Sequence, residues 1–537
     1  MLFLGSSVPG LMLIPSSSSR HDISGPMMNW DVLLAVLSCT RPQHASFEAG
    51  IVSNRDADRT YLLALMRTCG TLYTAGIPLL LQGKVRIATG TKNFESFRDF
   101  ILAEPRRADR VKWLSLAPSN PDPTMMDTSS LPVSRKEDFT AFVDFLPFLR
   151  LFRNLTRLEL FSAEEVLKTG TGDGAANILK HLEALTHFRI HEASRNIEIV
   201  VRSMRCPLQF VDLHWKEEGA HLVSEAQGLF SCLLPHASTL THICITNPSS
   251  FEVAGLFPNV HTLRVDCFSI SHHPPIHDAF VTTFPSLRRL EWIGKEFFVD
   301  PLEHHLLAVL QPVDQSGAAR GSPRWRLDVL TCNVRSAYIS RFRYRANFWD
   351  VSQHLHPLGL ITFHEVLRAV KPKFLRLKIR DYGLNAIRKE EMFPPDVQTF
   401  SHLQMKIFCT KNNDADCHDW QILVDNITSM LRHLTHVAFI SLVFSYQKST
   451  TASNSALQQC TAAEEPLYRF GLDDAAKRVA EDLPQLRWLA IAYQEGGGDL
   501  RNRSFWKPAR EFMADKVRME HVRDIDTAER DAIPFEL

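Results

Sequence analysis

The sequence predicts an α/β fold in which repeated short strands form a parallel sheet and helices connect them on the outside. A short apolar pattern, L-x-x-L-x-L with Val, Ile or Phe as substitutes, returns along most of the 537 residues. Segments with helical spacing lie between the copies, so strand and helix alternate. A single short strand cannot bury its apolar side alone, whereas stacked copies make one continuous core.

The copies of the apolar pattern follow one another at irregular distances along the sequence. Residues 155, 158 and 160 form a typical copy in "NLTRLELF", and the spacing between copies widens after residue 292. The intervening segments 138–149, 174–185, 301–310 and 419–431 have apolar residues at helical spacing. The copies begin at Val111, Leu155, Leu185, Leu208, Leu240, Val260, Leu287, Leu327, Phe374, Leu434 and Leu486. An ordinary α/β sheet is the alternative arrangement for these elements.

This repeated pattern resembles the leucine-rich repeat family, over roughly residues 104–495. The resemblance implies an irregular leucine-rich-repeat solenoid, with a parallel sheet and outer helices. Two polar stretches, 314–324 and 446–466, carry too little apolar surface to offset their ordering entropy and are expected to be flexible loops. We expect 1–26 to be a disordered leader and 496–537 a C-terminal tail.

Two short amphipathic helices are predicted ahead of the repeats. The first has one apolar face formed by Trp30, Leu33, Leu34 and Leu37, with Asn29 as its N-cap. The second begins after Asp58 and ends in a break at Gly76 and Pro78. Its apolar face is formed by Leu62, Leu65, Met66, Cys69, Leu72 and Tyr73.

The order of "DVLLAVLS", "LLALMRTCGTLY" and "AGIPLLL" ahead of leucine-rich repeats resembles F-box proteins, particularly large fungal families. The resemblance implies an all-α F-box-like unit at 27–90 that binds a Skp-type adaptor, through it a cullin and a RING subunit, while the repeats bind a protein substrate for ubiquitin transfer. The adaptor-binding residues would be Trp30, Leu33, Leu34, Leu37, Leu62, Leu65, Met66, Cys69 and Leu72. The alternative is that these helices cap the end of the repeat array, in a scaffold with no connection to a ligase.

The third position of each repeat is expected to lie on the open face of the sheet, because strand side chains alternate and the leucines face inward. Basic or aromatic residues dominate there, with Arg157, His187, Phe210, His242, Arg289 and Arg376 as the partner-binding candidates. Arginine and protonated histidine favour an acidic or phosphorylated partner segment. The alternative is a solvated sheet face whose charges discourage aggregation. The fifth positions, among them Glu159, Arg189 and Asp212, form a row of mixed charge.

Composition and motifs favour a binding protein without catalytic residues, cofactor or metal. Sixty basic and sixty acidic residues balance, which argues against a nucleic-acid or membrane binder. The glycines of 169–180 lack a preceding buried strand, and the adjacent histidines 272–273 and 304–305 lack further ligands at metal-binding spacing. Ten scattered cysteines and the lack of a membrane-length apolar run indicate a cytoplasmic or nuclear protein.

Overall fold

The fold is taken from a computed structural model. It describes residues 62–88, 91–117, 145–161, 163–169, 177–193, 195–215, 229–246, 255–267, 281–294, 326–339, 342, 344–356, 359–380, 392–393, 396, 399–409, 420–432, 434–446, 472–495, 500–510 and 517–522. The chain divides into two compact units, Met1–Asn259 and Val260–Leu537. The first predicted helix and the expected leader at 1–26 lie outside the described residues.

The first unit contains six parallel strands that follow one another in the sheet in chain order. They are β1 (Lys84–Ala88), β2 (Trp113–Ala117), β3 (Arg157–Leu160), β4 (His187–Ala193), β5 (Phe210–Trp215) and β6 (His242–Thr246). Strict chain order is what a repeat array requires, since each copy stacks on the one before it.

The second unit continues the same pattern with eight parallel strands and then two antiparallel ones. They are β7 (Thr262–Cys267), β8 (Arg289–Gly294), β9 (Arg326–Cys332), β10 (Arg345–Leu355), β11 (Phe374–Arg380), β12 (His402–Cys409), β13 (Phe439–Tyr446), β14 (Trp488–Glu495), β15 (Leu500–Arg510) and β16 (Val517–Val522). The predicted α/β class, a parallel sheet of repeated strands with intervening helices, is therefore confirmed within each unit.

Helical segments connect many of the described strands. They include the α-helices Gly70–Gln82, Thr91–Leu102, Phe145–Leu149, Ala163–Thr169, Arg195–Ser203, Val334–Ile339, Leu360–Val370, Trp420–Leu431 and Leu472–Asp482, and the 3-10 helices Pro105–Arg110 and Leu229–His236. The helix predicted at 419–431 is observed almost in full, whereas in 138–149 the described helix covers only its last turn. The segment 301–310 lies outside the described residues.

The repeat leucines form the core of both units. Leu158 and Leu160 in β3 and Leu263 in β7 are 0–1% exposed, as the repeat pattern predicts. In the first unit, a cluster of phenylalanine rings lies beneath the sheet, where Phe148 contacts Phe94 edge-on at 5.8 Å between centroids. Such apolar burial is the main source of folding free energy.

Two predicted repeat copies are out of register. The copy read from Phe374 is displaced by two residues, because Phe374 pairs with Phe348 and His402 and so occupies a third position. The copy read from Leu434 is displaced by three, because Phe439 pairs with His402. Both stretches contain apolar residues at two overlapping spacings, and the pairing of neighbouring strands selects one of them.

The N-terminal helical segment also differs from the prediction. A single helix over 62–73 was expected, but residues 62–66 form one short helix, a turn follows, and a second helix begins after Cys69. Cys69 caps that helix, since its Sγ atom accepts a hydrogen bond from the Leu72 amide at 3.5 Å. The expected break at Gly76 and Pro78 is wrong, because Gly70–Gln82 runs through both residues.

The sheet extends beyond the range expected for the repeats. β1 (Lys84–Ala88) lies within the predicted F-box-like range 27–90 and pairs with β2. In the second unit, β15 and β16 lie within 496–537, where a tail was expected, and extend the sheet of that unit in antiparallel register. Neither segment contains the L-x-x-L-x-L pattern, so the sequence did not predict that these strands pair with the repeat strands.

Candidate functional site

The third positions of the first unit form a continuous row across the six strands. Strand register pairs each member with the next, in the order Lys84, Trp113, Arg157, His187, Phe210 and His242. This row contains four of the predicted partner-binding residues, Arg157, His187, Phe210 and His242. They are half-buried, whereas the first and fourth positions of the same repeats are fully buried.

Ring contacts hold much of this row together. The Lys84 ammonium and the Arg157 guanidinium each lie 5.2 Å from the Trp113 ring, and the rings of His187 and Phe210 stack at 5.7 Å. Cation–π contacts of this kind orient the cations while leaving them charged.

The histidines of the row are fixed by the residues that precede them. The Thr186 hydroxyl lies 2.9 Å from His187 Nδ1, and the Thr241 hydroxyl lies 2.9 Å from His242 Nδ1. Burial, together with the charges of Arg157 and His242, lowers the pKa of His187 to about 4. His187 is therefore neutral at physiological pH, and the expected protonation of this side chain requires a pH near about 4.

The fifth positions of the first unit form an ion network. Arg189 in β4 donates from Nε to Asp212 Oδ2 at 2.6 Å and from one terminal nitrogen to Glu159 Oε1 at 3.2 Å. Lys84 Nζ lies 2.5 Å from Glu159 Oε2, and His214 Nε2 lies 3.0 Å from Asp212 Oδ1. Both carboxylates are almost fully buried, and their charges are compensated by Arg189 of the same row and by Lys84 of the third-position row.

The electrostatics of this network favour the ionised carboxylates. Burial acts to raise the pKa of Glu159, but His191, Lys84 and Arg189 outweigh it and leave that pKa well below its usual range. Burial likewise acts to raise the pKa of Asp212, and His214 and Arg189 reverse the effect. Such a closed network is typical of a structural role.

Arg289 in the second unit engages a carboxylate of its own sheet. Its Nε donates to Glu291 Oε1 at 2.7 Å, and Arg264 on the preceding strand lies 3.8 Å from the other oxygen of the same carboxylate. The side chain of Arg289 is 44% exposed, so it is accessible to a partner despite this pairing.

Arg376 does not lie at a third position, which corrects the prediction. It pairs in register with Asp350 and Gln404, at the fifth position, and lies 3.3 Å from the Asp350 carboxylate. The third positions around it are aromatic instead: His402 lies 4.3 Å from Phe374 and stacks on Phe439 at 4.1 Å. The sequence-based prediction missed this aromatic row because it placed β11 and β13 out of register and assigned no repeat copy to β12.

Farther along the same strands, the face becomes basic. Lys378 in β11 pairs in register with His354 in β10 and with Lys406 in β12. The sequence reading placed Lys378 in a row of mixed charge and did not identify Lys406. The alternation of charged residues in "FLRLKIR" indicated the outward position of Lys378. Its pairing with Lys406 could be recognised only once the neighbouring strand was known.

The predicted adaptor-binding residues that the structure describes belong to a small apolar cluster. Leu62, Met66 and Leu72 are buried in it, and Leu65 and Cys69 pack against it with half of their surface covered. Trp30, Leu33, Leu34 and Leu37 lie outside the described residues.

One side of the helix Gly70–Gln82 has an apolar stripe that is partly exposed. Tyr73 is 47% exposed, whereas Ile77 and Leu80, four and seven residues later, are half-buried and pack against the same cluster. Residues at this spacing lie on one side of a helix.

The described residues include neither a metal-binding cluster nor a membrane-spanning helix. Among these residues, no group of three or more His, Cys, Asp or Glu side chains is placed to hold a metal ion. Within the same ranges, no helix is both long and apolar enough to cross a membrane.

Comparisons with known proteins assign no family to this chain. No family model and no curated protein matches it. One solved structure that resembles it is described as "Crystal structure of Rad7 and Elc1 complex in yeast". The alignment covers 76% of this chain and 97% of that chain, at 11% identity and a TM-score of 0.29. A likeness at this score carries no assignment of function.

Proposed function

We propose that this chain is the substrate-recognition subunit of an SCF-type cullin-RING ubiquitin ligase. In this proposal the N-terminal helices dock a Skp-type adaptor, and the repeats bind a protein substrate. The observation that carries it is the exposed Tyr73 on helix Gly70–Gln82, beside Ile77 and Leu80, which their own cluster covers only in part, in a segment that precedes an array of repeats. Apolar side chains on the outside of a short helix favour burial against a partner.

The structure narrows which residues are available for this docking. Leu62, Met66 and Leu72 are covered by their own cluster, so their contribution is to hold the helix in place. A partner could cover Tyr73 and the parts of Ile77 and Leu80 that the cluster leaves exposed. The first predicted helix, with Leu33 on its apolar face, would supply the rest of the contact.

Co-purification of the full chain with a Skp-type adaptor tests the proposal. We expect stoichiometric capture by the wild type, and loss of capture in Tyr73→Asp and in Leu33→Asp. Thr71→Asp is the matched control, because Thr71 is exposed on the same helix and the change adds the same charge. Failure of the wild type to capture the adaptor would refute the proposal, as would equal capture by Tyr73→Asp and the control.

A scaffold without a ligase connection is the second candidate. It is favoured by the burial of Leu62, Met66 and Leu72 against one another, which leaves these predicted adaptor-binding residues unavailable to an adaptor. In that case none of the three aspartate variants changes any adaptor interaction. Met66→Asp would instead lower the thermal stability of the chain, because it places a charge in an apolar cluster.

The substrate side of the proposal rests on the third-position rows. A partner can be identified by proximity labelling and its capture measured at low and moderate salt. We expect Arg157→Ala combined with Arg289→Ala to weaken capture mainly at low salt, because contacts between exposed charges are screened by ions. Capture that is unaltered in both conditions would exclude these two arginines from the partner surface.

A further inference from the structure

The second unit places two lysines side by side on its sheet. Lys378 in β11 and Lys406 in β12 are direct partners in the parallel register, and both are half-buried. Neighbouring strands are about 4.8 Å apart, so the two stems leave the sheet within that distance of each other. Like charges placed directly opposite on neighbouring strands destabilise a sheet.

Little within the described part of the second unit offsets this positive charge. Lys378 Nζ donates to the Ser352 backbone oxygen at 3.0 Å, and Lys406 Nζ lies 4.9 Å from the Phe408 ring. Among the described residues, neither lysine forms an ion pair with a carboxylate. Asp350, whose negative charge acts on Lys406, is engaged by Arg376 at 3.3 Å.

The surrounding titratable groups respond to this field. Burial, with the charges of Arg380, Lys378 and Lys406, lowers the pKa of His354 to about 4. Burial, with the charges of Lys378 and Arg376, also lowers the pKa of Lys406. A native sheet that retains such a repulsive arrangement is typical of a binding site, where local stability is exchanged for function.

We propose that Lys378 and Lys406 form the centre of an anion-binding site for an extended, acidic segment of a protein partner. The site takes a dianionic group, either a phosphorylated side chain or neighbouring carboxylates. An ammonium has three donors, so Lys378 keeps two and Lys406 keeps three for the oxygens of such a group. Charge-assisted hydrogen bonds of this type are the stronger ones in proteins.

The extent of the site favours a peptide over a nucleic acid. The lysine pair spans two strands, which matches one dianionic group, whereas a nucleic acid needs a longer track of cations. The aromatic ring beside the lysines is also covered, because Phe408 lies 4.9 Å from Lys406 Nζ and 4.4 Å, edge-on, from the His354 ring. Stacked bases require aromatic faces that are open.

This inference rests on the substrate-binding part of the proposed function and is independent of adaptor docking. The experiment measures binding of the full chain, without adaptor, to fluorescent pools of short peptides. One pool has a central phosphoserine, the second has serine there, and the third has consecutive aspartates. A single-stranded oligonucleotide of similar length is the fourth probe.

We expect the phosphoserine or the aspartate pool to bind the wild type, and the better of the two identifies the source of the negative charge. Lys378→Gln with Lys406→Gln should weaken this binding about tenfold or more, since each lysine loses charge-assisted hydrogen bonds. Lys112→Gln with Lys477→Gln is the control, because both are exposed lysines elsewhere and the change in net charge is the same. Lys378→Arg with Lys406→Arg should retain binding, which separates loss of charge from loss of fold.

Several outcomes would overturn the proposal. They are no preference of the wild type for an anionic pool over the serine pool, equal binding by the glutamine variant and its control, and loss of binding in the arginine variant as well. Tighter binding of the oligonucleotide, lost in the glutamine variant, would assign the site to nucleic acid instead. Because no adaptor is present, failure here is distinguishable from failure of adaptor capture.

Discussion

Arg189 and Asp212, on neighbouring strands β4 and β5, form a hydrogen-bonded ion pair with 2.6 Å between Nε and Oδ2. The same guanidinium reaches Glu159 on the other side, at 3.2 Å. Three consecutive repeats are therefore joined by one side chain. The network lies on the face of the sheet where a partner was expected to bind, but its charges mainly neutralise one another.

The network predicts a loss of stability in acid. The pKa values of Glu159 and Asp212 are below those of the unfolded chain, where carboxyls titrate near about 4. Stability from this source is therefore fully present above that pH and is lost as pH falls through the folded-state values. Arg189→Gln should raise both folded-state pKa values and move the midpoint of acid unfolding, followed by circular dichroism, to higher pH.

The same variant should lower stability at neutral pH. Removing Arg189 leaves two buried carboxylates without their shared partner, which costs about 3 kcal/mol. Urea unfolding measures this change, and Arg205→Gln, at an exposed position of the same unit, is the control. If both variants unfold at the same urea concentration and the same acid midpoint, the network does not stabilise the fold.

The repeat core predicts a large effect of a single truncation. Leu263 in β7 is 0% exposed, so Leu263→Ala should destabilise the second unit by about 2 to 5 kcal/mol through lost burial and a residual cavity. Ile361→Ala is the control, because Ile361 is 76% exposed. A loss below about 1 kcal/mol for Leu263→Ala in urea unfolding would contradict the core position assigned by the repeat pattern.

The sequence predicted the parallel repeat sheet because the inward positions of most copies differ from the outward ones. Around Leu158 and Leu263, a polar residue separates the core leucines, so one register fits. Around Phe374 and Phe439, apolar residues are closer together and two registers fit equally well, which explains the misplacement of Arg376. Strand β1 was missed because Gly83, just before it, and Lys84, its first residue, interrupt the apolar spacing.

The site was less predictable than the sheet for a different physical reason. Arg189 bonds to residues of two other repeats, and Lys378 lies beside Lys406 in the next strand. In both cases the residues are about thirty positions apart in the sequence. Residue types at one position cannot show whether a charge is compensated from the next strand. The register between neighbouring strands decides whether a charge is compensated. The sequence therefore predicts the rows of third and fifth positions, but not the hydrogen bonds and ion pairs within them.

The buried cysteines should resist thiol reagents in the native state. Burial raises the pKa of Cys206 to about 11 and that of Cys332 to about 12, and only the thiolate reacts. We expect these two thiols to be labelled in denaturant but not in native buffer, as mass spectrometry of the labelled peptides would show. Cys69, which is half-buried, is the internal comparison. Native labelling of Cys332 at the rate of Cys69 would contradict the buried assignment.

The packing of Met66 against Gly76 predicts a steric effect in the N-terminal segment. A Cβ atom added at Gly76 would overlap the Cγ and Sδ atoms of Met66, whereas one added at Gly70 would meet nothing within 4 Å. Gly76→Ala should therefore force Met66 from the apolar cluster and destabilise the segment by about 1 to 3 kcal/mol. Gly70→Ala should leave the stability unchanged or raise it slightly, because alanine restricts the unfolded chain.

Amide hydrogen exchange over the helix Gly70–Gln82 measures this difference locally, even where the rest of the chain stays folded. We expect faster exchange in Gly76→Ala than in the wild type, and wild-type exchange in Gly70→Ala. Restoring slow exchange by adding Met66→Ala to Gly76→Ala would identify the overlap with Met66 as the cause. Equal exchange in the two single variants would mean that the cluster of Leu62, Met66 and Leu72 does not fix this helix in place.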